Sequence, residues 1–251
     1  MGEAIYCEHG GTSGPTLVLL HGLGATGSVW QGMQPLLAQH WPGRWLIPDF
    51  RGHGRSSTRP PYGIGMHAAD VASLVDQDAE LSIVGHSMGG AVGIALATGL
   101  FGVRVDHLVA FSVKVDWTEE EVGRGRALAR SPAKTFATRE EAIARYLRVS
   151  GLEGLVAADS AAAASGIATC AGGFRLATDP RCYDLGTPDF PALAKLATAP
   201  LQLFCGEQDK IASAGAMAKL GATVTTLPGL GHNPHVEAPA VLWAAIAAAL
   251  R

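Results

Sequence analysis

Along the first half of the chain, short runs of consecutive apolar residues alternate with longer stretches of helical character. The runs cover residues 16–20, 45–47 and 81–84, and each is followed by a glycine-rich turn. Apolar residues on consecutive rather than alternate positions predict strands buried on both faces, as in a parallel sheet. Residues 29–39 and 67–76 read as helices between the runs, and 88–100 as a small-residue helix after the third. The alternation returns late in the chain, with strands predicted at 107–113, 201–205 and 224–227 and a closing helix at 239–250. One further strand is predicted at 4–7. Strands alternating with helices place the chain in the α/β class.

Between residues 113 and 200 the alternation stops, and three helical candidates follow one another without a convincing strand. Thr118 with Glu121, and Thr138 with Glu141, have the spacing of a capping box, which marks two helix starts. The alanine-rich stretch 153–165 is the third. The expectation is one domain over residues 1–251, with a core of 1–113 and 189–251 and a helical cap inserted at about 114–188. Trp117, Phe136, Tyr146, Phe174 and Tyr183 would supply the aromatic surface of that segment, with ordinary packing as the plainer role for each.

Composition narrows the partners. Of 251 residues 48% are hydrophobic, enough for a sizeable core, while only 16% are charged and the net charge is −3. That balance lacks the basic footprint of nucleic-acid binding and favours a small-molecule substrate. The first residues lack the basic stretch and apolar run of a secretory signal, and the longest apolar runs, such as 244–250, are too short to span a bilayer. A cytoplasmic protein with no membrane span is expected. Cys7, Cys170, Cys182 and Cys205 are widely spaced without a Cys-x-x-Cys pair. They read as idle or buried thiols, so no metal site, cofactor or disulfide is expected.

The chemistry concentrates at turns. Gly85-His86-Ser87-Met88-Gly89 sets a serine between the apolar run 81–84 and the helix that follows. A glycine-flanked serine is a weak signal in a chain with 32 glycines. A sharp strand-to-helix turn, however, needs small neighbours and projects the hydroxyl from the sheet, which makes Ser87 the candidate nucleophile. His21-Gly22-Leu23-Gly24 follows the run 16–20, and the backbone amides of Leu23 and Met88 are candidates for an oxyanion hole. His232 follows the last predicted strand on the loop Pro228-Gly229-Leu230-Gly231 and is the candidate general base, with His235 as its neighbour and rival. Asp209, at the carboxyl end of the 201–205 strand, is the candidate acid that orients it. Glu207 reads as a turn residue, and Asp116, with Glu119 at capping-box spacing, as a helix cap and the rival acid.

The motifs at 21–24, Asp49-Phe50-Arg51-Gly52-His53-Gly54-Arg55-Ser56 and 85–89, together with Gly231-His232, resemble the α/β-hydrolase superfamily over nearly the whole chain. Within it the sequence is most similar to small capped esterases, carbon–carbon bond hydrolases and related lyases. The resemblance implies a mainly parallel sheet flanked by helices. It would hold about seven strands rather than eight, because roughly twenty residues precede His21. It implies that the loop 49–56 braces the site; an anion-binding reading of its arginines lacks the Gly-Lys-Ser of a phosphate loop. The leading expectation is a Ser87–His232–Asp209 hydrolase of a small ester. The alternatives are carbon–carbon cleavage or elimination with the same triad, and a ligand receptor that keeps only the pocket.

Overall fold

The fold rests on strands whose every residue is buried, and the computed structural model, which describes residues 4–186 and 188–250, shows why. The strands are β1 (Cys7–Gly11), β2 (Thr16–Leu20), β3 (Arg44–Pro48), β4 (Leu81–His86), β5 (His107–Phe111), β6 (Ile167–Cys170), β7 (Gly173–Leu176), β8 (Leu201–Gly206) and β9 (Val224–Leu227). Seven of them form one sheet in the order β1-β3-β2-β4-β5-β8-β9. Only β1 is antiparallel to its neighbour. β2 and β4 lie in the interior, and both faces are covered. Val18 and Leu20 of β2 join one core cluster, while Leu17 and Leu19 join the other. β5 divides likewise, with Leu108 and Ala110 on one side and Val109 and Phe111 on the other. A two-residue period with both faces apolar reads in sequence as a continuous apolar run. Each Val, Leu or Phe side chain so removed from water contributes about 1.5–3 kcal/mol.

The helices are α1 (Gln34–His40), α2 (Ile64–Ala72), α3 (Met88–Leu96), α4 (Glu119–Arg130), α5 (Arg139–Val149), α6 (Ala161–Ser165), α7 (Phe190–Leu196), α8 (Ala214–Met217), α9 (Pro234–Glu237) and α10 (Pro239–Ile246). Several expected boundaries move for local reasons. The helix expected at 29–39 is a 3-10 turn at Gly27–Trp30 followed by α1, whose first turn contains Pro35, a residue with no amide to donate. The helix expected from 88 to 100 stops at Leu96, and Gly99 then takes a left-handed φ of 76°. The helix expected at 67–76 spans Ile64–Ala72 instead.

The first strand also shifts, from the expected 4–7 to Cys7–Gly11, where it pairs with β3 in the register Cys7↔Pro48 to Gly11↔Arg44. Residues 4–6 lie along the loop after β3. The Asp49 amide donates to the Tyr6 carbonyl at 2.9 Å, the Ser57 amide to that of Ala4 at 3.1 Å, and the Tyr6 amide to Ser56 Oγ at 2.9 Å. Gly10 and Gly11 hide the strand from a propensity reading.

Between β5 and α7 both capping boxes form. The Glu121 amide donates to Thr118 Oγ1 at 3.2 Å and the Thr118 amide returns to Glu121 Oε2 at 3.0 Å; Thr138 and Glu141 repeat the arrangement before α5. The stretch expected as a helix at 153–165 is helical only from Ala161, after Gly154 at φ 79° and the Ser160 cap. The segment is not wholly helical, because β6 and β7 form an antiparallel hairpin turned at Ala171 and Gly172. Phe136 pairs with Phe174 at its edge. Four-residue strands that are only half buried leave no alternation to read. Among the described residues no helix is long and apolar enough to cross a membrane.

Two glycine-to-alanine changes should separate packing from propensity. A Cβ on Gly89 would lie 2.3 Å from the Leu20 carbonyl oxygen, which is backbone and cannot yield. Gly89→Ala should lower stability by about 1–3 kcal/mol. Gly123 in α4 has open space around it, so Gly123→Ala should raise stability by about 0.5–1 kcal/mol. Thermal unfolding of both variants would show opposite signs; shifts in the same direction would contradict this packing.

Candidate active site

β4 runs straight into α3 with a single residue, Ser87, between them. Its φ of 51° and ψ of −114° lie where an L residue rarely sits, at a cost of about 1–3 kcal/mol. The turn is possible only with glycine on either side: a Cβ on Gly85 would meet the Gly89 carbonyl oxygen at 2.4 Å. The Ser87 amide donates to the Phe111 carbonyl at 2.9 Å, tying the turn to β5. The side chain opens onto a cavity of about 430 Å³ that Gly22, Leu23, His86, Met88 and His232 also line. Among the described residues its hydroxyl makes no hydrogen bond.

Opposite Ser87, residues 21–24 are braced by two histidines whose tautomers are fixed by their partners. His21 Nδ1 donates to the Gly22 carbonyl at 2.8 Å while Nε2 accepts from the Phe50 amide at 3.0 Å. His53 Nδ1 donates to the Arg51 carbonyl and Nε2 accepts from the Gly24 amide, both at 3.2 Å. The Gly24 amide is thereby occupied and the Leu23 amide is not. Met88 is the first residue of α3, where an amide has no acceptor within the helix. The loop 49–56 is held in turn by the fully buried Asp49. Its Oδ1 accepts from the Gly27 amide at 2.7 Å, and its Oδ2 from the Arg55 amide at 2.9 Å. Arg51 forms a two-pronged ion pair with Asp70.

His232 stands on the loop after β9, and its Nδ1 lies 2.9 Å from Asp209 Oδ2 and 3.0 Å from Oδ1. Asp209 also accepts from the Ile211 amide at 2.8 Å and the Ala212 amide at 2.9 Å. Burial works to raise its pKa, but the hydrogen bonds from His232 and the two amides, with the charge of His232, hold it below the usual carboxylate value. With Nδ1 engaged, Nε2 is the nitrogen free to take a proton. The rivals lie elsewhere. Glu207 accepts from the Gly229 amide at 2.9 Å. Asp116 is not a helix cap, since Thr118 holds that position; it pairs with Lys219 at 2.7 Å and is more than half exposed. His235 is buried beneath the site against Trp30 and His86.

Three residues that support this loop were not singled out from the sequence. His86 Nε2 donates to the His232 carbonyl at 2.9 Å, and its ring packs edge-on against that of His232 with centroids 4.9 Å apart. Glu237 Oε2 accepts from the Gly231 amide at 2.6 Å and Oε1 from the Asn233 amide at 2.8 Å. Asn233 Nδ2 reaches the Gly151 carbonyl at 3.0 Å, just beyond α5. The spacing from Gly231 to Glu237 is the one signal the sequence offered, as a short helix start after a glycine turn.

The remaining walls of the cavity come from the segment after β5, including Trp117, Val122, Leu128, Val149 and Tyr183, and from Phe190 and Ile211. Of the other aromatics of that segment, Phe136 and Tyr146 are buried. All four cysteines are free thiols, and Cys182 is buried beside the Gly52 carbonyl. Among the described residues no group of three or more His, Cys, Asp or Glu is placed to hold a metal ion. A serine hydroxyl, a histidine oriented by a carboxylate, and two free amides around one cavity can perform acyl transfer.

This combination of sheet order, serine turn and histidine–carboxylate pair defines a class. The chain belongs to the Alpha/beta hydrolase family, whose sequence model matches residues 17–245. It is 30% identical over 250 residues to the magnesium-chelatase 30 kDa subunit of Rhodobacter capsulatus, a match covering 91% of this chain and 84% of that protein. It is 38% identical over 97 residues to the lipase LipV of Mycobacterium tuberculosis, where the match spans 37% of this chain and only 36% of the lipase. Among solved structures, E-2-(acetamidomethylene)succinate hydrolase superposes with a TM-score of 0.78 at 22% identity, over 99% of this chain and 95% of that one. The fold is that of the α/β hydrolases.

The histidines around the site make the fold sensitive to acid. Burial lowers the pKa of His21, His53, His67 and His235 to about 3 and that of His86 well below its ordinary value. Between about pH 6.5, where an unfolded histidine titrates, and those lowered values, only the unfolded chain takes up the protons. Stability is therefore lost as pH falls through that window, by up to about 1.4 kcal/mol per pH unit for each histidine. Urea unfolding at pH 7, 6 and 5 should show a steep decline, and His67→Leu, which removes one of the five histidines, should lessen its slope by about one fifth. A stability independent of pH over that range would refute the buried, neutral assignment.

Proposed function

We propose that the protein is a serine hydrolase of small carboxylic esters, with Ser87 as nucleophile, His232 as general base and Asp209 as the acid that orients it. The observation that carries the reading is the meeting of Ser87, the Asp209-held His232 and the open amides of Leu23 and Met88 around one cavity. His232 Nε2 takes the Ser87 proton as the oxygen attacks the substrate carbonyl. The Leu23 and Met88 amides receive the negative charge that develops on the carbonyl oxygen. The alcohol leaves with the proton from His232, and a water molecule, deprotonated by the same nitrogen, releases the acid and restores the serine. The segment at 114–188 serves as the cap that shapes the acyl pocket, and its Trp117 and Tyr183 line the cavity. Unpaired thiols suit residence in the cytoplasm, which is part of the same reading.

Hydrolysis of p-nitrophenyl acetate and butyrate tests the assignment. Ser87→Ala should lower kcat by about 10⁴-fold or more without changing the unfolding temperature greatly. A fluorophosphonate should label the wild-type protein once, at Ser87, as read by peptide mass spectrometry. Near-normal turnover in Ser87→Ala would end the proposal.

The acid is tested separately. Asp209→Asn should lower kcat by about 10⁴-fold by releasing the histidine tautomer, while Asp116→Asn, which loses only an exposed ion pair, should stay close to wild type. The reverse pattern would reassign the acid.

A further inference from the structure

Outside the cavity at Ser87 lies a second, larger and more open groove of about 1170 Å³, built from the α4–α5 connection and the outer face of α5. The two spaces share three residues, Leu128, Val149 and Tyr183, which form the partition between them. A ligand chain that leaves the inner cavity across these three residues would enter this groove.

The groove has a definite character. Its apolar floor includes Phe136, Ala144 and Leu176, and its charged groups are Lys134, Glu141, Arg145 and Arg148. Glu141 Oε2 accepts from the Thr138 amide at 3.5 Å in the α5 capping box and from the neighbouring Ala137 amide at 3.2 Å. Arg148 stands 3.6 Å from Glu153. Lys134 and Arg145 have no carboxylate partner among the described residues; Lys134 lies over the Phe136 ring at 5.1 Å. Arg145 sits close enough to the partition for its charge to act on the Tyr183 hydroxyl, opposing the upward pull of burial on that group. Two unpaired cations over an apolar floor are complementary to an anionic group on an apolar chain.

We propose that the groove is the outer compartment of the substrate site, and that the substrate is an acyl compound ending in an anionic oxyacid group. Its scissile carbonyl lies at Ser87, its chain passes Leu128, Val149 and Tyr183, and its anionic end lies against Arg145 and Lys134. The proposal rests on the hydrolase reading above and names the substrate class for that site.

The test uses p-nitrophenyl esters of acyl chains from adipate to dodecanedioate length, each with a free ω-carboxylate, with an ω-phosphate, or with the carboxylate capped as a methyl ester. At one or more lengths the charged esters should be favoured over the methyl-capped ones by about tenfold in kcat/KM, expressed in KM. The carboxylate and phosphate arms decide which oxyacid fits better. The preference should fall toward unity in Arg145→Gln/Lys134→Gln, and should shrink as salt is raised from about 0.1 M to about 1 M. It should persist in Arg104→Gln, whose guanidinium is remote from both spaces. If neutral esters are turned over in a Ser87-dependent way with no preference at any length, or with a preference the double variant retains, the second compartment is overturned while the hydrolase reading stands. If no ester is turned over, the hydrolase reading fails, and calorimetry on Ser87→Ala still decides the groove: the monoamides of the same diacids should bind more tightly than the diamides, and equal affinity would overturn it.

Discussion

Everything at the candidate site depends on one turn that is too tight for ordinary residues. Ser87 takes a φ of 51° between a strand and a helix, and there is no room for a Cβ on Gly85, which the backbone of Gly89 blocks, or on Gly89, which the backbone of Leu20 blocks. A turn of this kind persists only where its surroundings over-determine it. The surroundings here are β2, β4 and β5, fully or almost fully buried, with side chains packed on both faces of the sheet. The hydrophobic term that holds these strands is larger than the strain it offsets. The same interior that makes the strands legible as apolar runs fixes the serine hydroxyl at the edge of a cavity.

Around that turn the protein uses neutral, buried imidazoles as struts. His21 and His53 join the loop 49–56 to the loop 21–24 through one donated and one accepted hydrogen bond each. His86 joins the serine turn to the main chain of His232. An imidazole suits the task because it is planar, presents a donor and an acceptor on opposite edges, and stays uncharged when burial is complete. His232 differs from these in having a carboxylate partner, Asp209.

Much of this was legible in the sequence. Consecutive apolar positions gave the parallel strands, and the order of Ser87, Asp209 and His232 along the chain matched the ends of β4, β8 and the loop after β9. The placement of Leu23 and Met88 beside Ser87 was legible because glycine turns follow strands whose carboxyl ends share one edge. What escaped has a common cause. The hairpin β6–β7 is short and half buried, β1 contains two glycines, and His86 and Glu237 act through bonds to backbone atoms on elements distant or newly turned in sequence. Periodicity reports burial by a face, and none of these features has such a face. The partition between the two spaces escaped for a similar reason, since Leu128, Val149 and Tyr183 come from three separate elements of one inserted segment.

α4 carries a different kind of consequence. It has no fully buried residue, and it is held by its capping box, by the Lys114–Glu121 pair at 2.6 Å, and by half-buried contacts with the Pro180–Tyr183 turn. Its Val122 and Leu128 nevertheless face the cavity that Ser87 opens onto. A helix whose folding does not rely on those side chains leaves them free to vary, whereas Gly85, Gly89 and Asp49 are fixed by contact on every side. The molecule thus separates heritable constraint from heritable latitude: the turn that carries Ser87 tolerates almost no change, and the helix that lines the cavity can change in sequence while the fold beneath it stays the same.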